Sequence, residues 1–472
     1  MTLTNIRQYV LLGLLSGYLL LNYSFMQFRI PPQGFGIPLG EMFLLFVLMT
    51  VDVPLILRKI GTVAYLLPFL VWWGFGFGRM LIDSMDRGFW AFRDATPLIE
   101  SLFIIVGFAL AGNAAFFERL RRWLPLLLLV ASIYALGYPI EKQIIEISPT
   151  IQGASADQAV PIFGAYDTTA PLLLWTAVYL LCFGDPKSNG RVLRILGAGA
   201  AIAFAIVVVQ ARTIYVQIVG LSFIFLLFRR RALMNLSATI PLLVLAVAVI
   251  AAFDISVSGR LTDKISFSFF ADHLTAIFGE TSASDAAANA AAEGVGLRFG
   301  WWQHLYELLT SDAVNELTGL GYGIPLTDFY ADSGTLVREP HNSYISVVSR
   351  LGVIGFCAWA WMNFEILKVW FGAYREAKRL RWRYGQNLLL QILSFGVLVL
   401  ITALGEDALE KPYNAIPFYV FWGIALRIGY LLQVRRKTVE KTRSAQAAAQ
   451  FPRLPAPRPA FARQATQLGP SR

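Results

Sequence analysis

The stretch Glu339-Pro340-His341-Asn342-Ser343-Tyr344 leads into an apolar run, residues 345–372, that carries Gly352 and Gly355. That run is long enough to cross a hydrocarbon core of about 30 Å. The segment before it, 255–340, contains no comparable run and spans roughly 85 residues, far more than a typical connection. Pro340 disfavours helix for Glu339, and Asn342 or Ser343 can cap the helix that follows. So His341, one of three histidines in the chain, stands where a long polar segment turns back into an apolar one.

Working outward, the same alternation recurs along the chain. The sequence is 56% hydrophobic and 15% charged, with a mean hydropathy of +0.57, which excludes an ordinary soluble domain. Apolar runs fall at approximately 8–28, 37–57, 60–78, 96–116, 123–140, 167–184, 192–211, 213–228, 236–254, 345–372, 387–405 and 413–433. No small-residue cleavage site follows the first, so it reads as a retained helix. The expected fold is therefore all-α, a polytopic membrane protein of about twelve transmembrane helices. With the N-terminus inside, 26 of the 40 Lys and Arg fall on the inner side, 11 outside and three within spans. The positive-inside rule then sets both termini in the cytoplasm, and the net charge of +10 reflects topology, not nucleic-acid binding.

This organises the chain as a membrane domain over 1–433, a large outer loop over 255–340 inserted before the tenth span, and a basic tail over 434–472. The tail is rich in Ala, Pro and Gln and reads as disordered. Inside the loop, Ser282–Gly294 is Ala-rich and of low complexity. Beyond it Trp301, Leu305, Leu308 and Leu309 recur at helical spacing, as in an amphipathic helix at a membrane surface. Both cysteines, Cys182 and Cys357, lie in apolar runs and suggest neither a disulfide nor a metal framework. The two halves show no internal repeat, which weighs against an inverted-repeat transporter or flippase.

His341 is the leading candidate for chemistry, because an imidazole can accept a proton near neutral pH. Its plain alternative is an interfacial histidine that only hydrogen-bonds. His273 and His304 lack carboxylates at metal-ligand spacing. Arg212 opens the eighth span, Arg260 follows the ninth, and Arg298 opens the amphipathic stretch. Arginine at a membrane boundary is costly unless paired or wet, and guanidinium forks bind phosphate oxygens without a metal. Snorkelling to headgroups is the competing explanation. Arg350 lies within the helical return. Glu41, Asp52 and Glu100 lie in or near spans, Glu406, Asp407 and Glu410 cluster after the eleventh, and pairing of these acids with Arg350 or Arg427 is the favoured assignment. Gly319-Leu320-Gly321-Tyr322-Gly323 reads as a turn, and neither a metal motif nor a nucleotide signature is seen.

His341-Asn342, nine residues, then Gly352-Val353-Ile354-Gly355 resembles the His-[Asn/Ser/Gln]-x9-Gly-x-x-Gly signature of the O-antigen ligase and O-antigen polymerase superfamily. The Arg opening the eighth span, and Arg298, Trp302 and the Gly319–Gly323 run ahead of the histidine, are similar too; the likeness covers approximately 200–375. Phe356 follows the second glycine where the ligase form often has Thr, so polymerase and ligase both stay open. The resemblance implies a metal-independent, cofactor-free, inverting glycosyltransferase of GT-C type in a bacterial inner membrane. Its active site would face the periplasm. Its donor would be a glycan on undecaprenyl diphosphate, its acceptor a lipid-linked repeat unit, a lipid A core or a protein Ser/Thr. By the same resemblance His341 is catalytic, and Arg212, Arg298, Arg260, Asn342 and Trp302 bind the diphosphate or substrate. Cell-surface or exopolysaccharide synthesis is the implied setting.

Overall fold

The computed structural model describes residues 2–32, 36–153, 159–183, 190–252, 286–330 and 336–450. Among these, strands are confined to two short antiparallel hairpins. One pairs β1 (Arg29–Ile30) with β2 (Ile37–Pro38), and the other pairs β3 (Thr150–Gln152) with β4 (Ala159–Pro161). The other regular elements are helical. The helices run α1 (Leu3–Met26), α2 (Leu39–Thr50), α3 (Val53–Ile60), α4 (Leu67–Arg87), α5 (Phe89–Asp94), α6 (Thr96–Ser101), α7 (Phe103–Leu110), α8 (Ala114–Ala135) and α9 (Glu141–Ile147). They continue with α10 (Thr169–Cys182), α11 (Arg191–Phe204), α12 (Thr213–Phe228), α13 (Arg230–Ser237) and α14 (Ile240–Ala252). The last are α15 (Ala286–Thr310), α16 (Ala313–Thr318), α17 (Ser343–Arg379), α18 (Arg383–Thr402) and α19 (Pro412–Gln450).

Among the described residues, five helical segments are long and apolar enough to cross a membrane: Leu3–Met26, Arg191–Val209, Ser343–Arg379, Arg383–Thr402 and Pro412–Ser444. The total rises to seven if each of two bent pairs forms one span, and α10 and α12 are shorter apolar helices. The architecture is that of an all-α, multi-pass membrane protein.

Several expected spans are broken, and the sequence explains each break. The run 37–57 bends by 91° between α2 and α3. There Asp52 accepts a hydrogen bond from Leu55 N at 2.9 Å and Pro54 occupies the first turn, a helix start inside an apolar run. The boundary expected near 116–123 falls instead at 111–113, with a 118° bend. Asn113 caps α8 by accepting from Phe116 N at 2.8 Å. In α4 the apolar part continues into two polar turns ending at Arg87, and Gly88, at φ +57°, reverses the chain into α5. The tail differs from expectation as well: α19 runs on to Gln450, so 434–450 is helical. Exposed Lys, Arg, Glu and Gln with Ala sustain that extension by propensity alone.

The centre of the bundle is the apolar half of α19. Tyr413, Phe418, Tyr419, Trp422 and Leu426 are buried there, packed against α7, α17, α1 and α18. α7 and α19 touch backbone to backbone. A Cβ on Gly423 would come within 2.2 Å of the Ile104 carbonyl oxygen, and one on Gly107 within 2.2 Å of the Val420 carbonyl oxygen. Small residues at such a crossing allow close packing where lipid offers no hydrophobic drive.

Candidate active site

α17 does not begin as a plain helix. Asn342 is its N-cap, accepting from Tyr344 N at 3.0 Å and Ile345 N at 3.1 Å. Its amide nitrogen donates to the Leu404 carbonyl at 2.9 Å, and Ser343 N donates to the Ala403 carbonyl at 3.0 Å. These bonds pin the start of α17 to the end of α18. Trp302 Nε1 donates to the Pro340 carbonyl at 2.8 Å and fixes the other side. Held from both sides, His341 adopts φ +51°, a left-handed backbone that histidine tolerates better than most residues. Such strain persists where the surroundings over-determine it, and it clusters at functional sites.

The consequence is the direction of the imidazole. Nδ1 lies 3.3 Å from Asp407 Oδ1 and 3.4 Å from Glu406 Oε2. A nitrogen facing two carboxylates carries the proton and donates it, which leaves Nε2 as the acceptor nitrogen of the neutral ring. The hydrogen bond to Asp407, then that to Glu406, pushes His341 up to about 9 against the opposing effect of burial. Burial would raise both carboxyls, yet the hydrogen bond from His341 and the charge of Lys411 hold Asp407 and Glu406 below the usual range. Lys411 Nζ sits 3.1 Å from Asp407. The Trp301 ring lies over the region, 6.1 Å from the imidazole centroid.

Arg298 reaches the same segment. Its Nη1 donates to the Gly405 carbonyl at 2.9 Å, and its Nη2 lies 3.5 Å from Glu406. The start of α12 is next to it. Arg212 immediately precedes Thr213, whose methyl is 3.7 Å from where a Cβ on Gly405 would sit. The structure thus brings His341, Arg298 and Asn342 onto the 403–407 segment, with Trp302 bound to Pro340 beside His341 and the Arg212–Thr213 junction adjoining. Asn342 and Trp302 direct these hydrogen bonds to backbone, so they position the histidine loop. Arg260 and His273 lie outside the described residues, as does the start of the Ala-rich patch, 282–285. His304 is on α15, whose buried face is Trp301, Leu305 and Leu309, while Leu308 is 40% exposed.

The acidic cluster corrects the expected pairing. Glu406 and Asp407 go to His341, Arg298 and Lys411, not to Arg350 or Arg427. Glu410 Oε2 accepts from Ser343 Oγ at 2.5 Å, and burial, then the charge of Glu339, push it up to about 8. Arg350, 3% exposed, pairs with Glu339 at 2.7 Å and Asp94 at 3.2 Å. Arg427 lies over the Phe108 and Tyr430 rings. Sequence reasoning saw the Glu406–Asp407 pair but not its partner, because nothing local joins residues 66 apart.

His341, Glu406 and Asp407 are also, among the described residues, one group whose ligand atoms lie within 4.8 Å of one another, close enough to surround a cation. Lys411 and Arg298 already supply two positive charges to those carboxylates, so the donor set is neutralised by the chain itself.

The glycine run binds this site to the rest of the bundle. Gly319, Gly321 and Gly323 have φ of +78°, +88° and +89°. Leu320 N donates to the Ser349 carbonyl at 2.7 Å and Gly321 N to the Arg350 carbonyl at 3.1 Å. α17 kinks at that level, where Gly352 has φ +64°. A Cβ on Gly352 would meet the Leu317 backbone at 2.4 Å, and one on Gly319 the Arg350 backbone at 2.4 Å. So Gly352 serves a loop crossing the kink, and the loop is a structural turn.

No curated protein matches the chain. Residues 197–360 match the family model described as O-Antigen ligase. The matched segment ends within α17 and includes Arg212, Arg298, Trp302, the glycine run, His341, Gly352 and Gly355. Over residues 197–360 the chain is thus similar to the O-antigen ligase family, which supports the resemblance read from the sequence.

Proposed function

We propose that the protein is a membrane glycosyltransferase that transfers or polymerises a glycan from an undecaprenyl-diphosphate donor onto an acceptor sugar hydroxyl. The observation that carries this reading is the Asp407–His341 contact at 3.3 Å beside Arg298. The acceptor hydroxyl approaches His341 Nε2 and gives up its proton there. Its oxygen attacks the anomeric carbon from the face opposite the diphosphate. The carbon–oxygen bond to phosphate breaks with its electron pair going to the phosphate oxygen, and the anomeric centre inverts. Asp407 and Glu406 hold the imidazolium as it forms. Arg298 and Arg212, with Arg260, neutralise the departing diphosphate. The donor's glycosyl–phosphate bond supplies the driving force, so neither a nucleotide nor a metal is required.

The charge asymmetry of the loops supports both termini in the cytoplasm and a periplasmic site in the bacterial inner membrane. In this reading the bundle is a GT-C arrangement of twelve spans, counting broken and short helices, with 255–340 as its periplasmic loop.

The test is to incubate purified protein with a defined lipid-diphosphate glycan and with candidate acceptors. These are a second lipid-linked glycan, a lipid A core and a Ser/Thr peptide. Mass spectrometry should find one covalent product and released lipid diphosphate. Recovery of intact donor, or its passage across a liposome without change, would overturn the proposal.

A further inference from the structure

A second basic cluster adjoins the histidine loop through Arg338 and Glu339. It joins the end of α4, the short helix α5 and the segment 319–340. Arg79 and Arg87 lie 3.0 and 3.7 Å from Asp83, and Arg87 also donates to the Tyr322 carbonyl at 2.6 Å. Asp94 pairs with Arg338 at 2.7 Å and with Arg350 at 3.2 Å. Arg93 and Arg338 both lie over the Trp90 ring, at 4.9 and 4.2 Å from its centroid.

The charges in this network do not cancel. Arg79, Arg87, Arg93, Arg338 and Arg350 face Asp83, Asp94 and Glu339, and counting exposed Asp86 still leaves it cationic. Among the described residues Arg93 makes no ion pair, and it is exposed. Around it Phe89, Trp90 and Phe92 are 49%, 49% and 39% exposed, and Ile82 and Met85 on α4 are more so. Aromatic rings beside free guanidinium suit the headgroup level of a membrane. Arg338 is three residues before His341, so their Cα atoms are at most about 11 Å apart.

We propose that Arg93, with Arg338 and Trp90, forms a second anion site, which holds the phosphate or diphosphate of a lipid-linked acceptor while Arg298 and Arg212 hold the donor's. This rests on the transferase reading and narrows it: the acceptor is an anionic glycolipid, not a neutral glycan or a protein side chain. Charge complementarity selects the occupant. A phosphate takes guanidinium forks that the internal carboxylates leave over, and the polyprenyl or acyl chain lies along the exposed rings. The position fits, because Arg338 lies three residues before His341 while Arg298 binds the segment that carries the carboxylate partners of His341.

The experiment titrates full-length protein in phosphatidylcholine nanodiscs with farnesyl diphosphate and counts bound molecules by native mass spectrometry. Wild type should bind two. Arg93→Ala should bind one, with the second affinity weakened about tenfold, the scale of one charge-assisted contact. Arg298→Ala should lose the other. Arg93 is the residue of choice, since Arg338 also holds Asp94 and its loss could unfold the segment. In the transfer assay Arg93→Ala should raise the acceptor KM about tenfold and leave the donor KM unchanged. Two bound molecules in Arg93→Ala would overturn the proposal. So would loss of phosphatidylglycerol alone from mixed nanodiscs, which would mark a bilayer contact. Full transfer by His341→Ala would refute the reaction scheme yet leave a stoichiometry of two untouched, so the two failures are distinct.

Discussion

His341 Nδ1 lies 3.3 Å from Asp407 Oδ1, and this contact joins the start of one long helix to the end of another. It fixes which ring nitrogen is committed, and it raises the affinity of the ring for its proton to about pH 9.

A base with that pKa is mostly protonated at neutral pH, with about one ring in a hundred free at pH 7. We therefore expect kcat/KM to rise about tenfold per pH unit below 9 and to level off near 9. Asp407→Asn removes the largest cause of the shift, so its midpoint should move down toward the ordinary histidine value and its plateau should fall. A pH–rate profile of both proteins checks this. The stability linkage has a definite sign: the raised pKa stabilises the fold fully below about pH 6.5 and is lost as pH rises through about 9.

Gly352→Ala should destabilise the fold by about 2–4 kcal/mol, through a side chain at positive φ and a backbone clash with Leu317. Gly372→Ala on the same helix meets nothing within 4 Å and should be neutral or stabilising by about 1 kcal/mol. Thermal unfolding in detergent separates the two.

Arg350→Met should cost about 3–5 kcal/mol, because it leaves buried Glu339 without its cation and Asp94 with Arg338 alone. Arg350→Lys should recover only part of this. A single ammonium cannot reach Glu339, Asp94 and the Gly321 and Ile324 carbonyls together. Folded yield after size-exclusion chromatography is the readout.

Trp302→Phe keeps most of the ring but loses the bond to the Pro340 carbonyl, worth about 1 kcal/mol. The His341 backbone should relax from its left-handed conformation. kcat should fall severalfold while the thermal midpoint moves little, which activity and melting curves on one preparation would show.

Much of this was legible in the sequence, for identifiable reasons. Hydropathy reports burial in lipid whatever the tertiary arrangement, so the helical class and most apolar segments emerged from residues 345–372 and their like. His341 stood out through scarcity and position, and Trp301, Leu305 and Leu309 through spacing. The sharp bends at 51–52 and 111–113 had signals in Asp52-Val53-Pro54 and Gly112-Asn113, but a run of hydropathy masks a cap. The partners of His341 and Arg350 could not be read from local pattern. Asp407 and Asp94 reach them through packing of distant helices, and a carboxylate's neighbours in space leave no periodicity in the chain.

The central claim is that the His341 imidazole takes the acceptor proton. The most direct measurement is single-turnover transfer by purified His341→Ala, with the lipid-diphosphate glycan and an acceptor saturating and the fold verified by its melting midpoint. The account requires loss of at least about a hundredfold in rate, the usual worth of a general base. Product formed at the wild-type rate would contradict it.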